Sequence, residues 1–185
     1  MAEHVCPYWV GYLLISPLRR WLENPYALLA PFVTEGMTVV EPGPGMGFYT
    51  LDLARLVGPQ GRVIAIDVQP KMLKAVQRRA RKAGLDGRIE LRQPSGEHMG
   101  LDHLQGQADF VLAAFVVHEL PNMALFFQEM HRVLKSGGSC LVAEPKKHVK
   151  IADWEETLRL ATEAGFQISR DANIRRAHSI VLIKP

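Results

Sequence analysis

The chain has 185 residues, 48% of them hydrophobic and 22% charged, a composition that excludes a fibrous or disordered chain and supplies one sizeable core. Net charge is only +3, and most of the basic excess falls in 71–82, where apolar residues recur at helical spacing, so a solvated helix face is expected there rather than a nucleic-acid stripe. Two isolated cysteines, Cys6 and Cys140, and an apolar run over 8–15 that lacks a basic start and a spanning length point to a cytoplasmic protein without a membrane partner.

In chain order, Tyr12, Leu13, Leu14 and Leu18 predict a short helix, and Asn24-Pro25 opens another that runs to Ala30 and is ended by Pro31. Residues 1–36 are taken as an N-terminal helical cap on an α/β body, 37–185, within a single compact domain. From Met37 onward, strands are predicted at Thr38 to Glu41, Val63 to Asp67, Ile89 to Arg92, Asp109 to Ala114 and Ser139 to Glu144. Helices are predicted between them over 48–57, 70–83 and 121–134, an alternation that makes a mostly parallel, doubly wound sheet. Pro70 and Pro121 suit first helical turns, Gly84 and Gly137 suit helix ends. A further helix is marked by Asp153 as N-cap, by Trp154, Leu158 and Ala161 as its buried stripe and by Gly165 as terminator. Two last strands, 166–169 and 179–183, are joined by a polar loop alone, so they are expected to be antiparallel neighbours.

Chemistry concentrates after the first strand. Val39-Val-Glu-Pro-Gly-Pro-Gly-Met-Gly-Phe48 runs from a buried strand into a glycine-rich turn and then a helix, whose first N–H groups lie behind the glycines. Alone this could be an ordinary tight turn. Asp67, at the end of the second strand and 20 residues after Gly47, adds the carboxylate that a doubly wound fold presents to ribose hydroxyls; its other reading is a cap for the helix near Pro70. A dinucleotide is the competing ligand, but from Gly43 the sixth position is Phe48 where its fingerprint needs glycine. Glu41 would also face the diphosphate, whereas it suits the amino group and sulfonium of S-adenosylmethionine.

These residues resemble the class I S-adenosylmethionine-dependent methyltransferases, in their small-molecule branch. Glu41-Pro-Gly-Pro-Gly-Met-Gly47 is similar to their first motif, Ala65-Ile-Asp-Val68 to the acidic motif that follows, and 108–121 to their fourth-strand motif. Residues 127–145 resemble the helix, glycine turn and fifth strand of that branch. The resemblance runs from Thr38 to Ile183 and implies seven strands in the order 3-2-1-4-5-7-6, with strand 7 antiparallel. It implies that Glu41, Gly43, Gly45 and Gly47 hold the methionine end of the cofactor, Asp67 the ribose, and Ala113, Ala114 and Phe115 the sulfonium side, with Val68 and Met72 flanking the adenine. Where the family often has Gly-Asp-Ala-Glu beside the adenine, this chain has Pro94-Ser95-Gly96-Glu97. The usual aspartate is Ser95, so recognition of the adenine amino group is left to Ser95, Glu97 or backbone near Gly96.

For the methyl acceptor, His118 is the candidate base, just past the fourth strand on the ligand-facing edge of such sheets; its alternative is a histidine bonded to a loop carbonyl. Glu119 is open to capping or to pairing with a basic neighbour. The cap carries Tyr8, Trp9, Tyr12 and Trp21, more aromatic surface than a soluble face leaves exposed, and is expected to act as a lid whose inner face selects the acceptor, with His4, Cys6, Tyr8 and Trp9 nearest the methyl. No metal site is expected: His4, Cys6 and His118 have no finger-like spacing, and Ala113-Ala114-Phe115 lacks a magnesium-binding carboxylate. The expected partner is a small-molecule acceptor. Nucleic acid is disfavoured by the absence of an Asn/Asp-Pro-Pro-Tyr-like motif and of a basic module, and homo-oligomerisation is left open. A cofactor-binding protein without catalysis of its own, a nucleic-acid methyltransferase and a nicotinamide-dependent oxidoreductase are the competing readings.

Overall fold

The computed structural model describes Gly11, Ile15, 19–20, 23–94 and 98–185. His4, Cys6, Tyr8, Trp9, Tyr12, Trp21, Ser95, Gly96 and Glu97, and the helix expected around Tyr12 to Leu18, lie outside the described residues.

Seven strands follow the order β3-β2-β1-β4-β5-β7-β6, as expected: β1 (Thr38–Pro42), β2 (Arg62–Ile66), β3 (Ile89–Arg92), β4 (Ala108–Ala114), β5 (Leu134–Pro145), β6 (Gln167–Arg170) and β7 (Ala177–Ile183). β1 with β2, β2 with β3 and β4 with β5 pair in parallel, whereas β7 runs antiparallel to both β5 and β6. The chain divides into two compact units after Pro94.

In the unit that ends at Pro94, β1 and β2 are short apolar runs buried on both faces, which is what a central parallel strand needs. Their register sets Glu41 beside Ala65 and Pro42 beside Ile66, so β2 stops one residue short of the expected end and Asp67 begins the turn. Helix α1 (Pro25–Leu29) starts at Asn24, whose side chain accepts the Ala27 N–H at 3.2 Å. Helix α2 (Thr50–Leu56) follows the glycine-rich turn and α3 (Pro70–Lys82) follows Asp67. α3 buries Met72, Leu73, Ala75, Val76 and Ala80 on one stripe and carries Arg79, Arg81 and Lys82 in its last turn, where cations complement the helix dipole. Gly61 is required by close packing: a Cβ there would stand 2.5 Å from the Val57 carbonyl oxygen and 2.6 Å from that of Met37.

The described foot of the N-terminal segment is fastened to the start of α2. Arg20 pairs with the buried carboxylate of Asp52 at 2.8 Å, the Arg19 guanidinium lies 3.9 Å from the centre of the Phe48 ring, and the Tyr49 hydroxyl donates to Glu23.

In the unit that follows Pro94, α4 (Met123–Val133) and α5 (Ile151–Glu163) accompany β4 to β7. Phe126, Phe127 and Phe166 form a buried aromatic run, with ring centres 5.2 Å apart in the first pair and 6.4 Å in the second, both edge to face.

Three expectations at element ends are corrected here. Pro121 precedes α4 rather than opening it; the N-cap is Asn122, whose side chain accepts the Leu125 N–H at 3.0 Å and satisfies a donor that proline would leave open. Gly137 does not end α4. Leu134 already has extended backbone and pairs with Ala108, so β5 begins at once, and Gly137 donates its N–H to Lys184 O at 2.7 Å within an irregular stretch of β5. Asp153 is not the N-cap of α5: the helix starts at Ile151, and Asp153 reaches back to the Lys150 N–H at 3.3 Å. The buried stripe of α5 is Thr157 and Ala161, with Trp154 and Leu158 half-buried and Trp154 stacked on His178.

Asn122→Ala is expected to cost about 1 kcal/mol of stability, read as a shifted urea midpoint at unchanged slope. No helix among the described residues is long and apolar enough to cross a membrane.

Candidate functional site

In the first unit, β1 delivers Glu41 and the glycine turn to the carboxyl end of the sheet. The Gly43 N–H donates to Ile66 O at 2.8 Å, which sets the turn beside the residue before Asp67. Gly43, Gly45 and Gly47 have φ of 68°, 53° and 81°, a left-handed path at every second residue that side-chain-bearing residues adopt only with strain. At Gly47 a Cβ would also press on Leu51 and Val76, at 3.1 and 3.4 Å.

Glu41 is only 2% exposed, and its Oε2 has no hydrogen-bond partner. Burial raises its pKa from 4.5 to about 8; the nearby Thr50 hydroxyl works against that rise without completing a hydrogen bond, and the charge of Asp67 adds to it. An acid held in this state gains from a cation placed against it. Asp67 is 8% exposed and its Oδ1 accepts the Gln69 N–H at 2.8 Å, at the residue that caps α3. The capping role set beside ribose binding is not what the side chain does: α3 is capped at Gln69 with no side-chain capping bond, and Asp67 closes the turn that leads into the helix. Val68 presents an apolar side chain that is 53% exposed, whereas Met72 is buried against Met46 and Ala75.

In the second unit, Ala113 is buried, Ala114 is half-buried, and Phe115 takes φ of 61° as β4 ends, with its N–H donating to Ala143 O at 2.7 Å. Such backbone in an aromatic residue is strained, and strain of this kind concentrates at functional sites. The chain then makes a single 3₁₀ turn, Val117–Glu119. Its anchor is Glu144, the acid that ends β5, with a side chain 1% exposed. Glu144 Oε1 accepts the N–H groups of Val116 at 3.2 Å and Val117 at 2.9 Å, and Oε2 meets His118 Nδ1 in a short contact.

His118 therefore bonds to a buried carboxylate and not to a loop carbonyl. Nδ1 is committed to Glu144, which leaves Nε2 as the outward nitrogen, 4.0 Å from Glu119 Oε1. The hydrogen bond to Glu144 raises the His118 pKa above its ordinary value; partial burial opposes this, and the charges of Glu144 and Glu119 reinforce it. The His148 ring lies 6.3 Å from that of His118.

Sequence reasoning missed Glu144, although the signal was there: like Glu41, it is a carboxylate that follows an apolar run, here 140–143. It also missed Arg79, which looked like one more cation of a solvated face. Cys140 is buried in β5 and burial pushes its thiol pKa well up, so it is not a nucleophile. Among the described residues no group of three or more His, Cys, Asp or Glu is placed to hold a metal ion.

Strand order, glycine turn and paired carboxylates define an α/β protein of the class I S-adenosylmethionine-dependent methyltransferase type. The family described as a methyltransferase domain matches residues 33–176, and the chain belongs to that family. It is 32% identical over 117 residues to the ubiquinone/menaquinone biosynthesis C-methyltransferase UbiE of Klebsiella pneumoniae, covering 63% of this chain and 46% of that one. It is likewise 32% identical over 119 residues to the demethylmenaquinone methyltransferase of Lactobacillus johnsonii, covering 63% and 48%. The chain thus spans about half the length of these curated relatives. The crystal structure of a methyltransferase from Aquifex aeolicus, described as SAM dependent, superposes with a TM-score of 0.84 at 27% identity, covering 98% of this chain and all of that one. The cofactor of this class is S-adenosylmethionine, and the nicotinamide alternative is set aside.

Proposed function

We propose that the protein transfers a methyl group from S-adenosylmethionine to a small organic acceptor, and that His118, held by Glu144, takes the acceptor's proton. The observation that carries this reading is the buried Glu144 carboxylate committed to His118 Nδ1, an arrangement that fixes the tautomer and leaves Nε2 as the base. The relatives from Klebsiella pneumoniae and Lactobacillus johnsonii are named for quinone biosynthesis and demethylmenaquinone, which supports a small-molecule acceptor rather than a nucleic acid.

The residues fit the cofactor. The orphaned Oε2 of Glu41, buried and short of a cation, matches an ammonium or sulfonium, and the left-handed glycines leave room for close approach. We assign Glu41, Gly43, Gly45 and Gly47 to the methionine end, Asp67 to the ribose, Val68 and Met72 to the adenine, and Ala113 to Phe115 to the sulfonium side. When bound, the cofactor supplies a methyl group already activated by its sulfonium. The protein's part is then to orient the acceptor, exclude water and receive a proton at His118 Nε2. We assign the acceptor side of the site to the N-terminal segment, whose foot is fastened to α2 by Arg20 and Arg19.

Calorimetric titration with S-adenosylmethionine followed by a methyl-release assay across a metabolite panel tests this. Saturable binding and transfer to a panel member are expected; binding without transfer to any of them would leave a cofactor-binding protein, and no binding would remove the reading. In the same titration Asp67→Ala is expected to weaken binding by about 1–3 kcal/mol through lost charged hydrogen bonds, and unchanged affinity would show that Asp67 serves only the turn before α3.

A further inference from the structure

We infer that Arg79 is a positioning residue for the cofactor, holding the glycine-rich turn by its carbonyls. The inference rests on the S-adenosylmethionine reading above and extends it to the last turn of α3.

Arg79 lies in the last turn of α3, whose remaining basic residues face solvent or lie at its edge. Its guanidinium is half-buried and one nitrogen, Nη1, donates to both Met46 O and Gly47 O, the latter at 2.9 Å. These are carbonyls of the turn that carries Gly43, Gly45 and Gly47. The Gly47 N–H that follows the first of these carbonyls closes the turn on Pro44 O at 2.8 Å, so Arg79 and that bond hold the 46–47 peptide group from both its ends, and Arg79 holds the oxygen of the next one. Glycines lose more conformational freedom on ordering than any other residue, and an alternating glycine turn is costly to keep in a single form. Arg79 supplies a fixed cationic donor to a turn whose three glycines have no side chains to hold it.

The surroundings support a specific role for this side chain. Taking a guanidinium partly out of water costs free energy, which is offset here by charged hydrogen bonds to the carbonyls and by the nearby Asp52. Burial and the neighbouring Arg20 both disfavour the charged state of Arg79, with Asp52 acting against them and Arg55 alongside them. A cation placed merely to decorate a helix face would lie with the solvated ones, as its neighbour Arg78 does. The turn is also clamped by packing, because Met46 sits against Met72 and Ala75 of the same helix. Helix α3 thus grips the turn twice, by an apolar contact from its first half and by Arg79 from its last turn.

The test is calorimetric titration of S-adenosylhomocysteine into the unaltered chain and into Arg79→Ala, Arg79→Lys and Arg78→Ala, with Tm and hydrogen exchange of the Gly43, Gly45, Met46 and Gly47 amides recorded for each. Arg78→Ala removes the same charge from the same helix turn without touching the loop. The expected result is a loss of about tenfold or more in affinity for Arg79→Ala, a smaller loss for Arg79→Lys, whose ammonium keeps the charge and the donors on a shorter stem, and a change within twofold for Arg78→Ala. Exchange at 43–47 should quicken in both Arg79 variants while Tm moves by only a few degrees. Equal affinity in Arg79→Ala and the unaltered chain overturns the inference, as does an equal loss in Arg78→Ala, which would make the effect one of net charge. If Arg79→Ala does not fold, Arg79→Lys decides: a folded variant with weakened binding supports the role and one with unaltered binding overturns it. Failure of the unaltered chain to bind S-adenosylhomocysteine is a separate outcome that strikes the cofactor reading itself and takes this inference with it.

Discussion

Glutamine in place of Glu41 is expected to stabilise the ligand-free protein above neutral pH and at the same time to weaken its hold on S-adenosylmethionine. The carboxyl has a pKa of 4.5 in the open chain and about 8 when buried in the fold. Between those values the folded protein keeps a proton that the unfolded chain releases, so stability falls as pH rises from 4.5 towards 8 and stays low above it. At about 1.4 kcal/mol per unit the displacement amounts to a few kcal/mol. Glutamine fills the same space, carries no titrating proton and has no charge to desolvate. Thermal melts at pH 5 and pH 8 read the effect: the unaltered chain should lose stability between them, and the variant should lose less, with a melting point higher at pH 8 by about 2–4 °C for each kcal/mol recovered. Identical pH slopes in the two proteins would show that Glu41 is ionised in the fold. A gain in stability paired with a loss in affinity is what a carboxylate kept for a cation produces, because a bound cation offsets the cost of burying it.

Removal of the imidazole at His118 is the second large effect. With an acceptor found in the metabolite panel, His118→Ala should lower kcat by roughly 10²–10⁴, the range typical of a positioned general base, and leave S-adenosylhomocysteine affinity within about twofold. Turnover should rise with pH through the His118 pKa, which Glu144 holds above the ordinary 6.5, since only the neutral ring accepts a proton. Glu144→Gln should move that inflection to lower pH and cut kcat more than it changes KM. The stability linkage has the same direction as that of Glu41 but a higher window: a raised histidine pKa means that the His118–Glu144 pairing stabilises the fold fully below about 6.5 and that this contribution is lost as pH rises through the folded value. Turnover that survives His118→Ala within threefold would mean that the acceptor arrives already ionised.

Much of the fold was legible because its signals are local. Apolar runs of four to six residues bounded by glycine, proline or charge marked β1, β2 and β4 to within a residue, and a proline at the first turn with a glycine past the last marked α3. The misplacements at Pro121, Gly137 and Asp153 share a cause. Each of these residues suits two positions, and the choice between them was made by a partner outside the local window or by the side chain next door: Asn122 on Leu125 N–H, Lys184 against Gly137, and Asp153 reaching back to Lys150. Such competition has no trace in propensity.

The sequence by itself determined the alternation of strand and helix, the glycine turn after β1 and the acid after β2, because spacing and residue type suffice to specify backbone that must bend left-handed and a carboxylate that must follow a buried strand. The strand order came from resemblance to a family and was then observed. What only the tertiary structure decided is the electrical state of the site. Whether Glu41 keeps its proton, whether His118 bonds a carbonyl or a carboxylate, and whether Arg79 is solvated or folded against Met46 and Gly47 all depend on distances across tens of residues: 26 separate His118 from Glu144 and 32 separate Arg79 from Gly47. Burial and pairing act through space and fall off within a few ångströms, so a carboxylate written in the sequence has no fixed pKa until the chain has closed around it.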